Sequence, residues 1–308
     1  MTQNQSQLDF YPTRLGSNCK IIPRTDPVAC SDSFDTLKEQ QVKFFEENGF
    51  LIFENLFSSE EVTKLLDELN LLASKPEKNN PRYILEETNQ EVRSIFEIHK
   101  ISEIYSRLCR DKRVLNVVRD LLGSEVYLHQ SRVNLKPGFD GKEFYWHSDF
   151  ETWHSEDGMP NMRAISCSIS LTPNFEFNGP LMVIPGSHKQ YVSCSGKTPE
   201  KHYKQSLKRQ EIGTPDKSIL EKMVKDQGIS VSKGGSGSVT FFDCNIMHGS
   251  NGNITPYPRS NVFFVYNSVE NQLVDPFCGL PPRPDYIASR NFTPLIPVDD
   301  FLVSEKKQ

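Results

Sequence analysis

A histidine and an aspartate two positions apart, His147 and Asp149, are the side chains in this sequence best placed to bind a metal ion. They lie in an aromatic, strand-like run, Phe144–Phe150, and a strand turns alternate side chains to one face, with Cα atoms about 6–7 Å apart. A second histidine, His248, follows another strand-like run and completes a set of two imidazoles and one carboxylate. Such a set leaves coordination positions open, as in non-haem Fe(II) oxygenases. The spacing therefore predicts one Fe(II) bound by His147, Asp149 and His248.

An arginine eleven residues beyond His248, Arg259, is a candidate for binding a carboxylate near that metal. We expect the strand-like run that follows it, Ser260–Tyr266, to return the guanidinium to the metal. A planar guanidinium suits a bidentate carboxylate clamp. The alternative is a surface arginine in a proline-rich turn, since charged side chains mostly lie exposed. The nearby metal motif favours the clamp.

Polar side chains alternate along a third strand-like run, which begins at Glu125. Residues two apart on a strand share a face. The polar residues that would share a face here are Gln130, Arg132, Asn134 and Lys136. Four polar groups that face the interior are costly unless they bind something. We therefore predict that this face contacts a ligand.

The composition is that of an ordinary globular protein. Of the 308 residues, 36% are hydrophobic and 24% are charged, and the net charge of −5 gives no sign of nucleic-acid binding. No apolar run of membrane-spanning length and no apolar signal core are evident, so we expect a cytoplasmic protein without a membrane partner. The seven cysteines are odd in number and form no Cys-x-x-Cys pair, which favours buried or incidental thiols over a disulfide scaffold or a zinc ribbon.

Helical patterns dominate the first 123 residues, after an extended arm over residues 1–32. Apolar periodicity predicts a helix over Leu37–Asn48 that ends at Gly49, and one or two helices over Ile101–Leu122. A capping box at Ser58–Glu61 opens another helix. Short strands are predicted at 50–53 and 92–99. We interpret this part as a scaffold.

Short strand-like runs divided by Gly, Pro and Asn dominate from Glu125 onward, a pattern typical of a β-sandwich or barrel. They cover residues 125–135, 144–150, 163–171, 179–184, 237–242 and 260–266. A charged, partly helical insertion near 195–235, including Lys201–Gln210, interrupts them. We therefore expect a single domain over 1–308, with an arm and helical scaffold at 1–123, a β core at 124–270 and a tail at 271–308 that packs on the core.

Several long motifs support a resemblance to a known family. The motifs are Glu47–Leu51, Phe144–His154, Glu156–Pro160, Asn178–His188 and Asn251–Arg259. With the pairing of His147, Asp149, His248 and Arg259, the chain resembles the phytanoyl-CoA hydroxylase-like branch of the Fe(II)/2-oxoglutarate dioxygenases. Within that branch the motifs are similar to those of ectoine hydroxylases. The resemblance runs over nearly the whole chain, from Tyr11 onward.

The resemblance implies a mainly β fold with flanking helices, a double-stranded β-helix or cupin-like jelly roll. It also implies hydroxylation of the compatible solute ectoine to 5-hydroxyectoine. Fe(II) would be the cofactor, and 2-oxoglutarate and O₂ the co-substrates, with succinate and CO₂ released. The protein's own task is then to aim one C–H bond of the substrate at the metal.

The resemblance also suggests roles for individual residues. For 2-oxoglutarate they are Arg259 and Lys136, with Asn134, Ser250 and Phe144 as secondary candidates. For ectoine the resemblance implies Gln130, with Arg132 and Ser166 as weaker candidates.

Aromatic residues are further candidates for the substrate, because ectoine carries a delocalised cation as well as a carboxylate. Trp153 offers the best cation–π surface, and Phe96, Phe242 and Phe263 are candidate walls. A single aromatic residue more often packs in a core. Trp153 stands apart because it closely follows the metal motif in a charge-rich segment.

Two other functions stay open at this point. The chain could hydroxylate another small amino or imino acid, or it could be a cupin-like sensor that binds metal without turnover. The presence of Arg259 and Lys136 disfavours the sensor. A halogenase is disfavoured because halide needs the coordination position that Asp149 would fill. The sequence does not decide oligomeric state, and a homodimer is one expectation.

Overall fold

The fold is known from a computed structural model, which describes residues 8–77, 79–86, 90–207 and 210–302. Helices and short strands lead the chain. In order they are β1 (Lys20–Pro23), α1 (Glu39–Asn48), β2 (Phe50–Phe53), α2 (Ser59–Ser74), β3 (Tyr83–Leu85), β4 (Val92–Phe96), α3 (Ile98–Ile101), α4 (Glu103–Leu108) and α5 (Lys112–Leu122). In the described part of the chain, five helices thus precede residue 123, together with four strands.

Strands dominate after residue 123. They are β5 (Val126–Lys136), β6 (Phe144–His147), β7 (Ala164–Ser170), β8 (Leu181–Val183), β9 (Gln190–Ser193), β10 (Ser230–Val231), β11 (Val239–Asp243), β12 (His248–Ser250) and β13 (Arg259–Ser268). The helices among them are α6 (Asp149–Thr152), a π-helical turn (Trp153–Asp157), a 3₁₀ turn (Ser187–Lys189), α7 (Tyr203–Ser206) and α8 (Lys217–Gln227).

The strands form two main antiparallel sheets. The larger has the order β2-β11-β7-β13-β5-β4-β3 and the smaller the order β10-β8-β12-β6, while β1 pairs with β9. This arrangement, with helices outside it, is the predicted cupin-like jelly roll. Among the described residues no helix has the length and apolar character needed to cross a membrane.

Two local signals at the front end act as predicted. Gly49 ends α1 with a left-handed φ of 81°, and a Cβ there would lie 2.5 Å from the His188 ring. The capping box opens α2, because the Ser58 amide donates to Glu61 Oε2 (2.8 Å) and the Glu61 amide to Ser58 Oγ (3.3 Å). These helices pack their apolar faces on the large sheet, where Val133 and Phe264 belong to the main hydrophobic core.

A bulge in β5 decides which of its side chains reach the other face of the sheet. In the pairing with β13, Val265 lies opposite Gln130 and Tyr266 opposite Leu128, so His129 is the extra residue. Leu128 packs in the main hydrophobic core, whereas Gln130 lies on the cavity side. Because of the bulge, Leu128 can face the main hydrophobic core although Gln130, only two residues further on, faces the cavity.

The predicted strand Phe144–Phe150 is wrong at its end. The strand stops at His147, and Asp149 begins the short helix α6. The Phe150 amide donates to the carbonyl of Cys244 (2.8 Å), and the Ser148 hydroxyl donates to Asn245 Oδ1 (3.0 Å). Contacts with a distant loop therefore turn the chain, and strand alternation does not relate His147 to Asp149.

Two further element predictions need correction. The strand predicted at 92–99 ends at Phe96, because Glu97 adopts a left-handed φ of 52° and caps α3. In the insertion, the helix predicted for Lys201–Gln210 covers only Tyr203–Ser206; residues 208 and 209 of that prediction lie outside the described residues. The end of the insertion joins the small sheet, since β10 pairs with β8.

The chain termini lie against this body over their described parts. In the arm, β1 pairs with β9, and residues 1–7 lie outside the described residues. In the tail, Phe301 packs in the main core and Val298 makes a bridge to Asp111. Residues 303–308 of the predicted tail are likewise outside the described residues.

Candidate metal centre and its pocket

Three potential metal ligands converge at one end of the small sheet. His147 on β6 lies directly opposite His248 on β12, and Asp149 is presented by the first residue of α6. One ligand atom from each residue lies within 4.8 Å of the others. The Asp149 carboxylate is 3.6 Å from His147 Nε2 and 3.8 Å from His248 Nε2. The three ligand atoms are therefore close enough together to share one metal ion.

The two imidazoles are held in the same tautomer, with their ring planes 49° apart. His147 Nδ1 donates to the carbonyl of Tyr145 (2.7 Å), and His248 Nδ1 donates to the carbonyl of Ile246 (3.0 Å). A carbonyl can only accept, so each Nδ1 carries a hydrogen and each Nε2 has its lone pair free. Backbone partners of this kind fix the orientation of metal-binding histidines.

The protonation states also suit a cation. Burial lowers the pKa of His248 to about 4, and the neighbouring His147 adds to the shift, so this imidazole is neutral at pH 7. Burial raises the pKa of Asp149, but interactions with His248, His147 and Arg132 outweigh it and hold the pKa below its usual range. A set of two imidazoles and one carboxylate that leaves coordination positions open fits Fe(II).

Buried cations crowd the space beside these ligands. Arg259 begins β13, lies opposite Lys136 on β5 and is only 3% exposed. Among the described residues neither of them forms an ion pair, and the same holds for Arg132. The Nε atoms of Arg259 and Arg132 are buried without a hydrogen-bond partner. Unpaired buried charges are costly, so the site is built for an anion.

Burial and mutual repulsion lower the pKa values of these cations. Burial, together with Arg259 and Arg93, lowers the pKa of Lys136 to about 6. Burial and Arg132 lower the pKa of Arg259 to about 10. A bound dicarboxylate would reverse both shifts, because an opposite charge favours the charged form. The described residues therefore fit 2-oxoglutarate.

The candidate residues around this anion site line what we term the inner cavity, which is bounded by Asn134, Phe144, His248, Ser250 and Arg259. Ser250 Oγ accepts a hydrogen bond from Lys136 Nζ (2.9 Å). Asn134 Oδ1 accepts one from Ser94 (2.8 Å), which leaves its amide nitrogen for the cavity. All of the sequence candidates for 2-oxoglutarate thus lie together.

A second space, which we term the outer cavity, also adjoins the metal ligands. It is bounded by Gln130, Asp149, Thr152, Trp153 and Arg283, and it shares Arg132, Phe144 and His147 with the inner cavity. Because the shared residues include a metal ligand, the two cavities meet at the metal. A substrate in the outer cavity would lie beside His147 and Asp149, whereas Arg259 lines only the inner cavity of the two.

Specific contacts orient the groups of the outer cavity. Gln130 Nε2 donates to the carbonyl of Ile287 (2.7 Å), so its amide oxygen is left for a ligand. Arg283 binds Asp157 in a bidentate pair, with Nε and Nη2 at 2.7 and 2.6 Å from the two oxygens. The Trp153 ring packs edge to face on His129, with centroids 5.2 Å apart.

The remaining sequence candidates divide into two groups. Phe242 and Phe263 line the inner cavity; the Phe242 ring lies 5.3 Å from the His248 ring, and Arg132 lies over Phe263. Phe96 packs against Tyr286, and Ser166 lies on β7 between β11 and β13 with its hydroxyl buried. Neither Phe96 nor Ser166 is among the residues that bound the two cavities.

Sequence reasoning missed Thr152, Arg283 and Arg93. Thr152 could have been found from its position beside Trp153. Arg283 lies in the proline-rich stretch Leu280–Pro284, where no local pattern points to a cavity. Arg93 lies over the Phe144 ring (4.6 Å) on β4, and its place beside Lys136 depends on the pairing of β4 with β5.

Comparison with known proteins gives a consistent picture. The family described as phytanoyl-CoA dioxygenase (PhyH) matches residues 45–261. The chain is 54% identical over 302 residues to the ectoine dioxygenase of Bordetella bronchiseptica, which covers 97% of this chain and 98% of that protein. It is 49% identical over 297 residues to the ectoine dioxygenase of Streptomyces coelicolor, with 96% and 99% covered.

Solved structures agree. EctD from S. alaskensis with 2-oxoglutarate and 5-hydroxyectoine superposes with a TM-score of 0.85 at 45% identity, covering 94% of this chain and 98% of that one. EctD from the same source with bound Fe gives the same TM-score at 44% identity, with the same coverage. The carbocyclase SnoK is 16% identical with a TM-score of 0.64, covers 86% of this chain and 96% of that one, and shares the fold alone.

Proposed function

The chain belongs to the phytanoyl-CoA dioxygenase family, and from that premise we propose that it hydroxylates ectoine to 5-hydroxyectoine. The reaction consumes O₂ and 2-oxoglutarate and releases succinate and CO₂. The single observation that carries the proposal is the junction of two different cavities at His147, Asp149 and His248. One cavity holds unpaired cations for a dicarboxylate, and the other combines an aromatic ring with polar groups.

His147, Asp149 and His248 would hold the iron. Bound Fe(II) supplies the activation of O₂ that is coupled to oxidative decarboxylation of 2-oxoglutarate. The protein contributes three ligands, and the carbonyls of Tyr145 and Ile246 preset the orientation of the two histidines among them.

Arg259 would bind the distal carboxylate of 2-oxoglutarate, assisted by Lys136. Support comes from their adjacent positions on paired strands and from the lack of an ion-pair partner for either among the described residues. Ser250 and Asn134 offer a hydroxyl and an amide beside them, and the Phe144 ring lines both this cavity and the outer cavity.

Ectoine would occupy the outer cavity. The Trp153 ring suits its delocalised cation, and the free amide oxygen of Gln130 can accept from its ring N–H groups. The Arg283 guanidinium, held by Asp157, is suited to its carboxylate. The cationic ring and the carboxylate of ectoine would thereby contact different walls of the cavity. This orientation determines which C–H bond of ectoine faces the metal. Arg132 lies between the two cavities, and Ser166 and Phe96 stay weaker candidates.

The test is to assay the purified protein with Fe(II), 2-oxoglutarate and O₂, with and without ectoine, and to measure succinate and hydroxylated product by mass spectrometry. We expect ectoine to stimulate succinate release strongly and to gain one oxygen atom at equal yield. A protein that only binds metal would give no succinate. An enzyme for another small amino or imino acid would form succinate with that compound and respond weakly to ectoine.

A further inference from the structure

Two cysteines, Cys19 and Cys194, face each other one step beyond the last pair of the β1–β9 ladder. Neither backbone amide joins that ladder: the Cys19 amide donates to Asp216 Oδ2 (3.3 Å), and the Cys194 amide donates to Thr13 Oγ1 (2.9 Å). They therefore occupy a non-hydrogen-bonded position, where Cα atoms of antiparallel strands lie about 4.5 Å apart. This spacing falls within the range of about 4.4–6.8 Å found for disulfides.

The Cys19 thiol is the more reactive of the two. A hydrogen bond from the Cys194 thiol lowers its pKa to about 7; burial opposes this shift, and the backbone amides of Asp216 and Ser195 assist it. Asp216 is the N-cap residue of α8; its backbone amide favours the Cys19 thiolate, whereas its carboxylate opposes the lowering of the pKa. Cys19 is half-buried, whereas Cys194 is 4% exposed. A reachable thiolate beside a second thiol is typical of redox-sensing cysteines.

Cys30 provides a contrast within the same arm. It is half-buried like Cys19, but burial raises the pKa of its thiol. Both residues are free thiols in the structure. Exposure alone therefore does not distinguish Cys19; its partner and its backbone donors do.

We propose that Cys19 and Cys194 form a reversible disulfide that fastens the amino-terminal arm to the body of the protein. The oxidant is a small disulfide. The Cys19 thiolate attacks one of its sulfur atoms, so that a mixed disulfide forms and one small thiolate leaves. The Cys194 thiol then gives up its proton to solvent and attacks Cys19 sulfur, which releases the second small thiolate. Two protein thiols are oxidised, and one small disulfide is reduced to two thiols.

The disulfide would form beside the contacts that join the arm to helix α6, which carries Asp149. The Arg14 amide donates to the carbonyl of Cys194 (2.9 Å). The Arg14 guanidinium forms buried ion pairs with Glu151 (2.7 Å) and Glu156 (2.6 Å). Glu151 belongs to the helix that begins with Asp149. Closing a loop from Cys19 to Cys194 restricts the unfolded chain, so the oxidised protein should resist unfolding.

The experiment equilibrates the full-length, iron-loaded protein under nitrogen with mixtures of reduced and oxidised glutathione. Non-reducing peptide mapping by mass spectrometry then locates the modified cysteines. In the wild type we expect the Cys19–Cys194 cross-linked peptide as the main oxidised product. In Cys194→Ser the reaction should stop with glutathione on Cys19, and in Cys19→Ser the buried Cys194 should stay unmodified. Cys30→Ser is the matched control and should behave like the wild type.

Thermal unfolding tests whether the disulfide stabilises the folded protein. Oxidised wild type and oxidised Cys30→Ser should melt several degrees above their reduced forms, and dithiothreitol should reverse the rise. The proposal is overturned if the wild type accumulates glutathione on Cys19 as fully as Cys194→Ser does, or if Cys30 reacts before Cys19. An unchanged melting temperature after complete cross-linking would overturn the stabilising role of the disulfide.

Discussion

Lys136 and Arg259 lie directly opposite each other on adjacent antiparallel strands, although like charges in such positions repel. Neither forms an ion pair among the described residues, and burial adds to the cost of both charges. A protein keeps such a pair at the expense of its stability when a ligand supplies the missing anion. This relationship leads to the first two predictions.

Replacement of Arg259 by alanine should raise the 2-oxoglutarate concentration needed for turnover far more than it weakens iron binding. Deletion of the guanidinium leaves the distal carboxylate unpaired in a buried site, a loss of roughly 2–5 kcal/mol in binding. Arg259→Lys should recover little, because an ammonium lacks the planar fork. Succinate release against 2-oxoglutarate concentration, with iron content measured in parallel, checks this. An unchanged 2-oxoglutarate requirement would show that another residue binds the distal carboxylate.

Lys136→Met should stabilise the ligand-free protein while weakening its binding of 2-oxoglutarate. The folded pKa of Lys136, about 6, lies below its unfolded value, so folding must expel a proton between pH 6 and the unfolded pKa of about 10.4. The penalty is complete below pH 6 and fades as pH rises. The variant's advantage in melting temperature should therefore be largest near pH 6 and shrink toward pH 9. A constant or growing advantage would contradict the assigned pKa.

Substitution of His147, Asp149 or His248 by alanine should abolish turnover and most iron binding without unfolding the chain. Backbone carbonyls hold the two histidines, and each of the three side chains supplies one ligand atom. Metal analysis and circular dichroism measure the two effects separately. Glu39→Gln, which alters an exposed carboxylate on α1, is the control and should keep full iron content. Full occupancy in all three alanine variants would exclude this metal site.

Trp153→Ala should uncouple the reaction, so that succinate forms in excess of hydroxyectoine. Loss of the cation–π contact should cost on the order of 1–2 kcal/mol in ectoine binding and leave the C–H bond misaligned. Trp146, the other tryptophan, packs against Ile184 and Val192 away from the outer cavity. Trp146→Ala is thus the matched control, and it should lower both products together. An unaltered product ratio with normal ectoine affinity would remove Trp153 from the substrate site.

Arg283→Gln should raise the ectoine concentration needed for half-maximal turnover by at least tenfold and leave the 2-oxoglutarate requirement nearly unchanged. Its guanidinium lies in the outer cavity, apart from the cations near Arg259. Asp157→Asn keeps the arginine but weakens the pair that aims it, and should give an intermediate value. Steady-state titrations with each substrate give both constants. Equal shifts for both substrates would indicate a general loss of structure.

Local patterns were sufficient for much of the fold and for the chemistry of the site. Helix α1 and its end at Gly49, and the capping box of α2, follow from residue types a few positions apart. The alternation along β5 likewise places Gln130, Arg132 and Asn134 at the two cavities, and Lys136 against Ser250 of the inner cavity. Such features depend on backbone geometry within one or two turns or strands, which the sequence specifies directly.

Other features depend on which distant segments pack together, and only the tertiary structure decided them. The turn that separates His147 from Asp149 depends on a hydrogen bond from Phe150 to Cys244. The entry of Arg283 into the outer cavity depends on its ion pair with Asp157, which is 126 positions away. The bulge at His129 depends on the register in which β5 pairs with β13. No local propensity encodes these choices, because their free energy comes from contacts that form only when the whole jelly roll closes.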